Sequence, residues 1–290
     1  MTAGTGPAVG VHPTSTDRSM PVVELALATE ARGLCSISLP EHTHVPLASD
    51  PIDERYRRTL DPFVASSFVA AATSLEVGTG VSLVAQHDAI ALAKAIATLD
   101  HLSQGRVMLG VGYGYNRPEA ADHGVPVDRR AAVVEETVRL MKALWTEDEA
   151  AFEGVHRSVS PSYAWPKPVQ PGGPPVLLGV RPSVRNFERI VGWADGWLPM
   201  GNGIADNAEL AGHLAELRSR WTDAGRATDL QVCCFFNAGS VDAIARDLDR
   251  ATELGIQRAQ VYVADRQRDE LLPILDDVAA AVGRTQGGVS

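Results

Sequence analysis

Leu99-Asp-His-Leu-Ser-Gln-Gly-Arg-Val-Met-Leu-Gly-Val-Gly-Tyr-Gly-Tyr-Asn116 is the stretch on which the reading of this chain turns. Leu99 and Leu102 continue the apolar face of a helix, and Gly105 stands where a left-handed C-cap would end it. Val107–Val111 is an uninterrupted apolar run, the pattern of a strand buried on both faces. Gly110, Gly112 and Gly114 then let the backbone pass close to a flat or anionic group. A loop leaving the C-terminal end of a buried parallel strand is where α/β proteins hold their ligands.

The same alternation extends in both directions. Upstream, strands are predicted at residues 9–12, 35–39 and 75–84. Helices are predicted at 20–32, 62–72 and 89–103, the second of them capped by Asp61 with Pro62 in its first turn. Residues 40–59 are long, polar and irregular, a candidate lid or site loop. Downstream, Val134, Val138, Met141 and Trp145 share one face of a regular helix over 128–145. Residues 147–173 break the rhythm with prolines and the aromatics Phe152, Tyr163 and Trp165. They read as an excursion over the rim with a short hairpin near Gly154. Strands follow at 175–178, 196–198, 232–236 and 259–263, with helices at 183–191, 210–221, 241–251 and 271–282. Eight strands alternating with eight helices predict an α/β fold, a (β/α)8 TIM barrel with a rim insertion between strands four and five. One domain spans 1–290, with frayed ends near 1–7 and 284–290. A doubly wound open sheet is the alternative.

The 290 residues are 45% hydrophobic, enough for one large core, and carry a formal net charge of -10. That balance argues against nucleic acid or an anionic membrane as partner. It leaves room for an anionic small ligand held by local arginines and a helix N-terminus. Cys35, Cys233 and Cys234 read as buried, unreactive thiols in a reducing compartment, the adjacent pair facing opposite sides of one strand. No apolar run approaches the ~20 residues of a membrane span, and no basic, apolar leader opens the chain. The expectation is a soluble cytoplasmic protein.

A barrel places its site at the C-terminal ends of its strands, which shortens the list of candidates. Glu41-His42-Thr43-His44 follows strand two, Ser82, Gln86 and His87 follow strand three, and the glycine loop follows strand four. Gly179 to Arg185 follow strand five, residues 199–202 strand six, and Asp265 and Arg266 strand eight. Gly110-Val-Gly112-Tyr-Gly114 is not a dinucleotide fingerprint, since its third glycine comes one residue early. His42 and His44 have the spacing of some metallohydrolase barrels, but strand ends four to six offer no further ligands, so no metal is expected. Pro182 or Ser183 opens a helix beside Arg181 and Arg185, which makes either an anion seat or an ordinary capped helix start. Asp100 and Arg106 read as structural partners around the helix stop.

Several motifs, in order, resemble the bacterial-luciferase-like superfamily. They are Glu41-His-Thr-His-Val-Pro46, Thr59-Leu-Asp-Pro-Phe63, Val77-Gly-Thr-Gly-Val81, Leu99-Asp-x-Leu-Ser-x-Gly-Arg106 and Gly110-Val-Gly-Tyr-Gly-Tyr-Asn116. Ala143-Leu-Trp-Thr146, Trp165-Pro-Lys-Pro-Val-Gln170 and Asp195-Gly-Trp197 continue the series. The chain looks most like the F420-dependent oxidoreductases of that superfamily. The resemblance implies a barrel, usually a homodimer, that binds the deazaflavin coenzyme F420 or FMN at its mouth and exchanges a hydride with a small organic substrate. It implies a cis peptide at Gly80–Val81, with Val81 packed under the ring. It makes Glu41-His42 the acid–histidine pair, with His42 the general acid/base. Gly112, Tyr113, Gly114, Tyr115 and Asn116 would line the cofactor's side chain, and Gly179, Val180, Arg181, Pro182 and Ser183 its phosphate. Val180 stands where the family often has glycine. Tyr115 stands where relatives carry tryptophan or a carboxylate, which sets the chain apart from sugar-phosphate dehydrogenases. The alternatives are an FMN-dependent monooxygenase, a metal-dependent hydrolase built on His42 and His44, and a non-catalytic flavin-binding protein. Residues 45–58 and 147–173 are the loops expected to select the substrate.

Overall fold

Eight parallel strands close on one another in the order β1 (Ala8–Pro13), β10 (Arg258–Val263), β9 (Gln231–Asn237), β8 (Gly196–Pro199), β7 (Val176–Val180), β4 (Val107–Val111), β3 (Glu76–Ser82) and β2 (Ser36–Leu39). The structure is a computed structural model and describes residues 6–200 and 208–287. Gly201 and Asn202, predicted at the end of strand six, lie outside those residues, as do most of the expected frayed ends. The closed sheet is the predicted (β/α)8 barrel, and the open-sheet alternative falls with it.

Strand alternation sorts the core into two layers. Leu109, Leu178, Trp197, Cys234 and Phe236 point outward into one large cluster under the helices. Their chain neighbours Met108, Leu177, Leu198 and Cys233 point inward and form a separate cluster, joined at its upper end by Val81 and Phe235. The split follows from the two-residue period of a strand, and it places Cys233 and Cys234 on opposite faces as expected. The barrel's lower end is closed by polar groups. Arg258 Nη2 lies 2.9 Å from Glu76 Oε2, and its Nη1 donates to Gln231 Oε1 at 2.8 Å. Cys35 departs from the expectation: it is exposed, just before β2.

The helices bury the faces that their spacing predicts. Val134, Val138, Met141 and Trp145 of α5 (Arg130–Thr146) are buried, as are Leu210, Leu214, Leu217 and Trp221 of α7 (Leu210–Asp223). Each such side chain contributes about 1.5–3 kcal/mol. Asp61 accepts from the amides of Phe63 and Val64 to cap α2 (Pro62–Ala72), and Asp88 accepts from Ala91 to cap α3 (Ala89–Ser103). The end of α3 differs from the prediction by one residue. Gln104, with φ 59°, takes the left-handed position assigned to Gly105, and Gly105 follows at φ 80°. Gly105 N–H reaches Asp100 O at 2.9 Å and Gln104 N–H reaches His101 O at 3.2 Å, a Schellman pair. Leu99 is buried, but Leu102 faces outward, 74% exposed.

One segment corrects the sequence reading and another matches it. A short helix, α4 (Arg117–Asp122), follows the glycine loop where none was predicted. The insertion between β4 and β7 contains the expected hairpin, β5 (Ala150–Glu153) with β6 (Ser158–Ser162). It packs on α5 at the rim, where Arg157 donates to the carbonyls of Ala85 and His87 just after β3. Its turn is pinned to α5 by Glu136, which accepts from Arg157 N–H at 2.9 Å, and its return passes Asp100, which accepts from Val169 N–H at 2.7 Å.

Candidate active site

A cavity of about 640 Å³ opens at the C-terminal ends of the strands. Its size falls in the range of small-molecule and cofactor pockets. Glu41, His42, Gly80, Val81, Gly112, Tyr113, Gly114, Tyr115, Gly179, Val180 and Arg181 all line it. Asn116, Pro182 and Ser183 do not. Asn116 is the N-cap of α4, and Ser183 is the N-cap of α6 (Val184–Trp193), where its hydroxyl accepts from Asn186 N–H. A side chain spent on capping turns back along its own helix, which takes these two out of the cavity. Residues 147–173 contribute nothing to the lining, so that loop does not form part of this cavity.

The wall formed by β3, β4 and β7 is shaped by backbone. The Gly80–Val81 peptide is cis, as the resemblance implies. Val81 fills the space left by Gly112, just after β4, and Gly179 of β7. A Cβ on Gly112 would sit 2.4 Å from Val81 Cγ2, and one on Gly179 would sit 2.5 Å from Val81 Cγ1. Any side chain at either position would displace Val81, so the apolar wedge and both glycines form one unit.

Side chains shape the opposite wall. His42 is 7% exposed, and its Nδ1 lies 2.8 Å from Glu119 Oε2. Thr43 N–H donates to the other oxygen of Glu119 at 3.1 Å. A carboxylate in this setting accepts, so neutral His42 carries its proton on Nδ1 and presents the lone pair of Nε2 to the cavity. The phenol of Tyr115 is 3.4 Å from Nε2. Glu41 has a different environment from its neighbour. Its Oε2 accepts from Ser82 Oγ at 2.7 Å and from Leu83 N–H at 2.6 Å, while Oε1 meets His87 Nε2 at 2.6 Å. Burial pushes the Glu41 carboxyl up, but His87, Ser82 and the Leu83 amide together hold it below its ordinary value. Burial pushes His87 down, and Glu41 more than reverses this, so His87 is raised. Glu41 therefore braces the end of β3, and its carboxylate is fully engaged.

Sequence reasoning missed several lining residues. His12 Nδ1 lies 2.9 Å from Ser38 O, and burial pushes its pKa down to about 4, against a smaller upward pull from that hydrogen bond. It is neutral at cellular pH and packs on Phe235 at 4.6 Å between ring centroids. Tyr56 comes from the irregular segment after β2, and Tyr262 and Asn237 end β10 and β9. Glu119 carried one readable signal: Asn116-x-x-Glu119 has the spacing of a capping box. Arg185 stays away from the cavity. Asn186 lines it instead, and Arg189 lies over the Tyr113 ring at 5.5 Å. His44 pairs with Asp122 at 3.0 Å, apart from the His42–Glu119 pair. Among the described residues no three His, Cys, Asp or Glu side chains converge as metal ligands, and no helix is long and apolar enough to cross a membrane.

A family model described as luciferase-like monooxygenase matches residues 4–283. The chain belongs to that family. An uncharacterized protein of Mycobacterium tuberculosis (strain H37Rv) is 39% identical to this luciferase-like chain over 279 residues, covering 92% of it and 95% of the relative. An F420-dependent glucose-6-phosphate dehydrogenase of Gordonia bronchialis is 29% identical over 178 residues, 53% of this chain and 48% of that one. Two solved structures share the fold at TM-score 0.78. One is a monooxygenase from Streptomyces bottropensis, at 18% identity and 93% and 97% coverage of the two chains. The other is an F420-dependent secondary alcohol dehydrogenase in complex with an F420-acetone adduct, at 14% identity and 97% and 99% coverage.

The luciferase-like cavity suits a flat ring with a polar tail. Val81, Leu83 and Phe235 offer apolar surface, with Val81 held between Gly112 and Gly179, and Arg181 and Asn186 stand at the β7 end.

Proposed function

We propose that this luciferase-like protein is an F420-dependent oxidoreductase that moves a hydride between the deazaflavin and a small organic substrate. One observation carries the reading: the Val81 wedge held between Gly112 and Gly179 shares one cavity with a histidine whose Nδ1 is held by Glu119 and whose Nε2 meets the Tyr115 phenol at 3.4 Å. The ordered motifs of the F420 branch and the Gordonia relative support the choice of cofactor.

The bound deazaflavin would supply a carbon that gives or takes a hydride. The chain supplies everything around that step. Val81, Leu83 and Phe235 would seat the ring, and the Gly112-Tyr113-Gly114 backbone would run beside its side chain. Arg181 and Asn186, near the Ser183-capped start of α6, would hold its anionic group. His42 would move the proton: neutral, it takes one at Nε2, and as imidazolium it returns it, with Glu119 stabilising the charged form through Nδ1.

Fluorescence titration with F420, FMN and their reduced forms tests the reading. F420 should bind and FMN should bind weakly. Tight FMN binding with no F420 binding would overturn it in favour of the flavin-dependent monooxygenase.

A further inference from the structure

We propose that Arg157, on the hairpin outside the cavity, is a positioning residue for the cavity wall: it sets the place of Leu83 and of the Glu41–His87 pair, and so the fit of the cofactor ring. The effect on the ring rests on the oxidoreductase reading, whereas the effect on His87 does not.

The segment just after β3 has two sides. On the inner side Leu83 lines the cavity and gives its N–H to Glu41, and the His87 ring meets the same carboxylate. The 3₁₀ turn Val84–Gln86 uses two carbonyls for itself: Gln86 N–H reaches Leu83 O at 2.8 Å and His87 N–H reaches Val84 O at 3.3 Å. On the outer side Arg157 takes two others. Its Nη2 donates to Ala85 O at 2.8 Å and to His87 O at 3.4 Å. Val84 and Ala85 are buried, where an unpaired carbonyl is costly.

Arg157 is itself held on α5. Nε donates to Thr137 Oγ1 at 3.0 Å, and Thr137 is fully buried. The hairpin turn wraps Glu136, whose carboxylate accepts from the N–H groups of Val155, His156 and Arg157 at 3.2, 2.5 and 2.9 Å. Three amides on one carboxylate, and a planar guanidinium donating from two edges, make a stiff link from α5 to the site. The single nitrogen of a lysine could not stand where both Nε and Nη2 stand.

His87 reports on this link. Burial pushes it down, and its contact with Glu41, helped by Asp61, holds it up. The remaining neighbour is the Phe63 ring, 6.0 Å away between centroids. A turn released from Arg157 would slacken the Glu41 contact and let the His87 pKa fall. Loss of the Arg157 charge alone would raise it, because a nearby cation disfavours imidazolium. Positioning and simple electrostatics therefore predict opposite signs.

Nitrogen-15 NMR of the histidines across a pH series, in the full chain without ligand, reads that sign. The His87 pKa should fall in Arg157→Gln and also in Arg157→Lys, which keeps the charge and loses the fork. Glu136→Ala leaves Arg157 in place but frees its hairpin, and should give a smaller fall. Fluorescence titration reads the cavity: the cofactor that wild-type protein binds should bind roughly 3- to 10-fold more weakly to both Arg157 variants, the scale of one hydrogen bond. A His87 pKa that stays or rises in the folded variants, or cofactor affinity equal to wild type, would overturn the proposal. Wild-type protein that binds FMN and not F420 would overturn only the choice of cofactor, and the His87 measurement would still decide the role of Arg157.

Discussion

Two histidine–carboxylate pairs begin at adjacent residues and end in different places. Glu41 pairs with His87 at 2.6 Å, and His42 pairs with Glu119 at 2.8 Å. In the first pair the acid is the hub: its oxygens also take Ser82 Oγ and Leu83 N–H, so it ties the end of β2 to the end of β3. In the second the carboxylate is fully buried and the histidine lines the cavity, with Nε2 on the side away from Glu119. The same chemical couple is a brace in one case and, in the function we propose, a proton-handling group in the other. What separates them is position: the His42 imidazole lines the cavity, whereas the His87 imidazole does not.

The largest expected effect tests the second pair. His42→Asn keeps a donor for Glu119 but removes Nε2, and turnover should fall by roughly 10²–10⁴-fold with the melting temperature nearly unchanged. Full turnover in that variant would end the acid/base assignment. The first pair should answer in stability instead. Glu41→Ala leaves buried donors on Ser82 and Leu83 without a partner and should cost roughly 3 kcal/mol in denaturant unfolding.

The backbone wall sharpens the contrast, because there shape alone is at stake. Gly112→Ala should cost about 1–3 kcal/mol by pushing against Val81 Cγ2, and Val81→Ala in the same chain should recover most of it. Equal, additive losses in the two variants would show that the wedge and the glycine are independent.

Titration should give the smallest effect. Lowering of the Glu41 pKa contributes stability that is present above its ordinary value of 4.5 and lost as pH falls through the lowered one. Raising of the His87 pKa contributes stability that is present below 6.5 and lost as pH climbs through the raised one. The brace is therefore at full strength between the two ordinary values. His87→Asn should remove the alkaline loss from a pH series of unfolding curves.

Most of the barrel was legible because its signals are local. The Val107–Val111 run, the Asp61-Pro62 helix start and the four-three-four spacing of Val134, Val138, Met141 and Trp145 each depend on a few neighbouring residues. The short helix after the glycine loop escaped notice although Asn116 and Glu119 carried its capping signal, because six residues are too few to show a period. Gln104 took the left-handed position because two successive residues there have positive φ, and glycine content marks only one of them. The insertion 147–173 was legible as a rim excursion with a hairpin, but the surface it packs on was not. Its contacts with Glu136 and Asp100 join residues far apart in the chain and leave no periodic trace.

By itself the sequence determined the alternation of strands and helices, the two-faced strands, and the motifs that mark a luciferase-like chain. These follow from periodicity, caps and glycine positions, which act within a few residues. Only the tertiary structure decided which charged groups near the mouth have something left to do. Read in line, Glu41 and His42 are one acid–histidine pair in which the resemblance makes His42 the acid/base, and nothing shows what either one touches. Closure of the barrel brings His87 to one and Glu119 to the other, 46 and 77 residues away. A side chain's chemistry depends on the partners that folding delivers to it, and those partners come from distant strand ends.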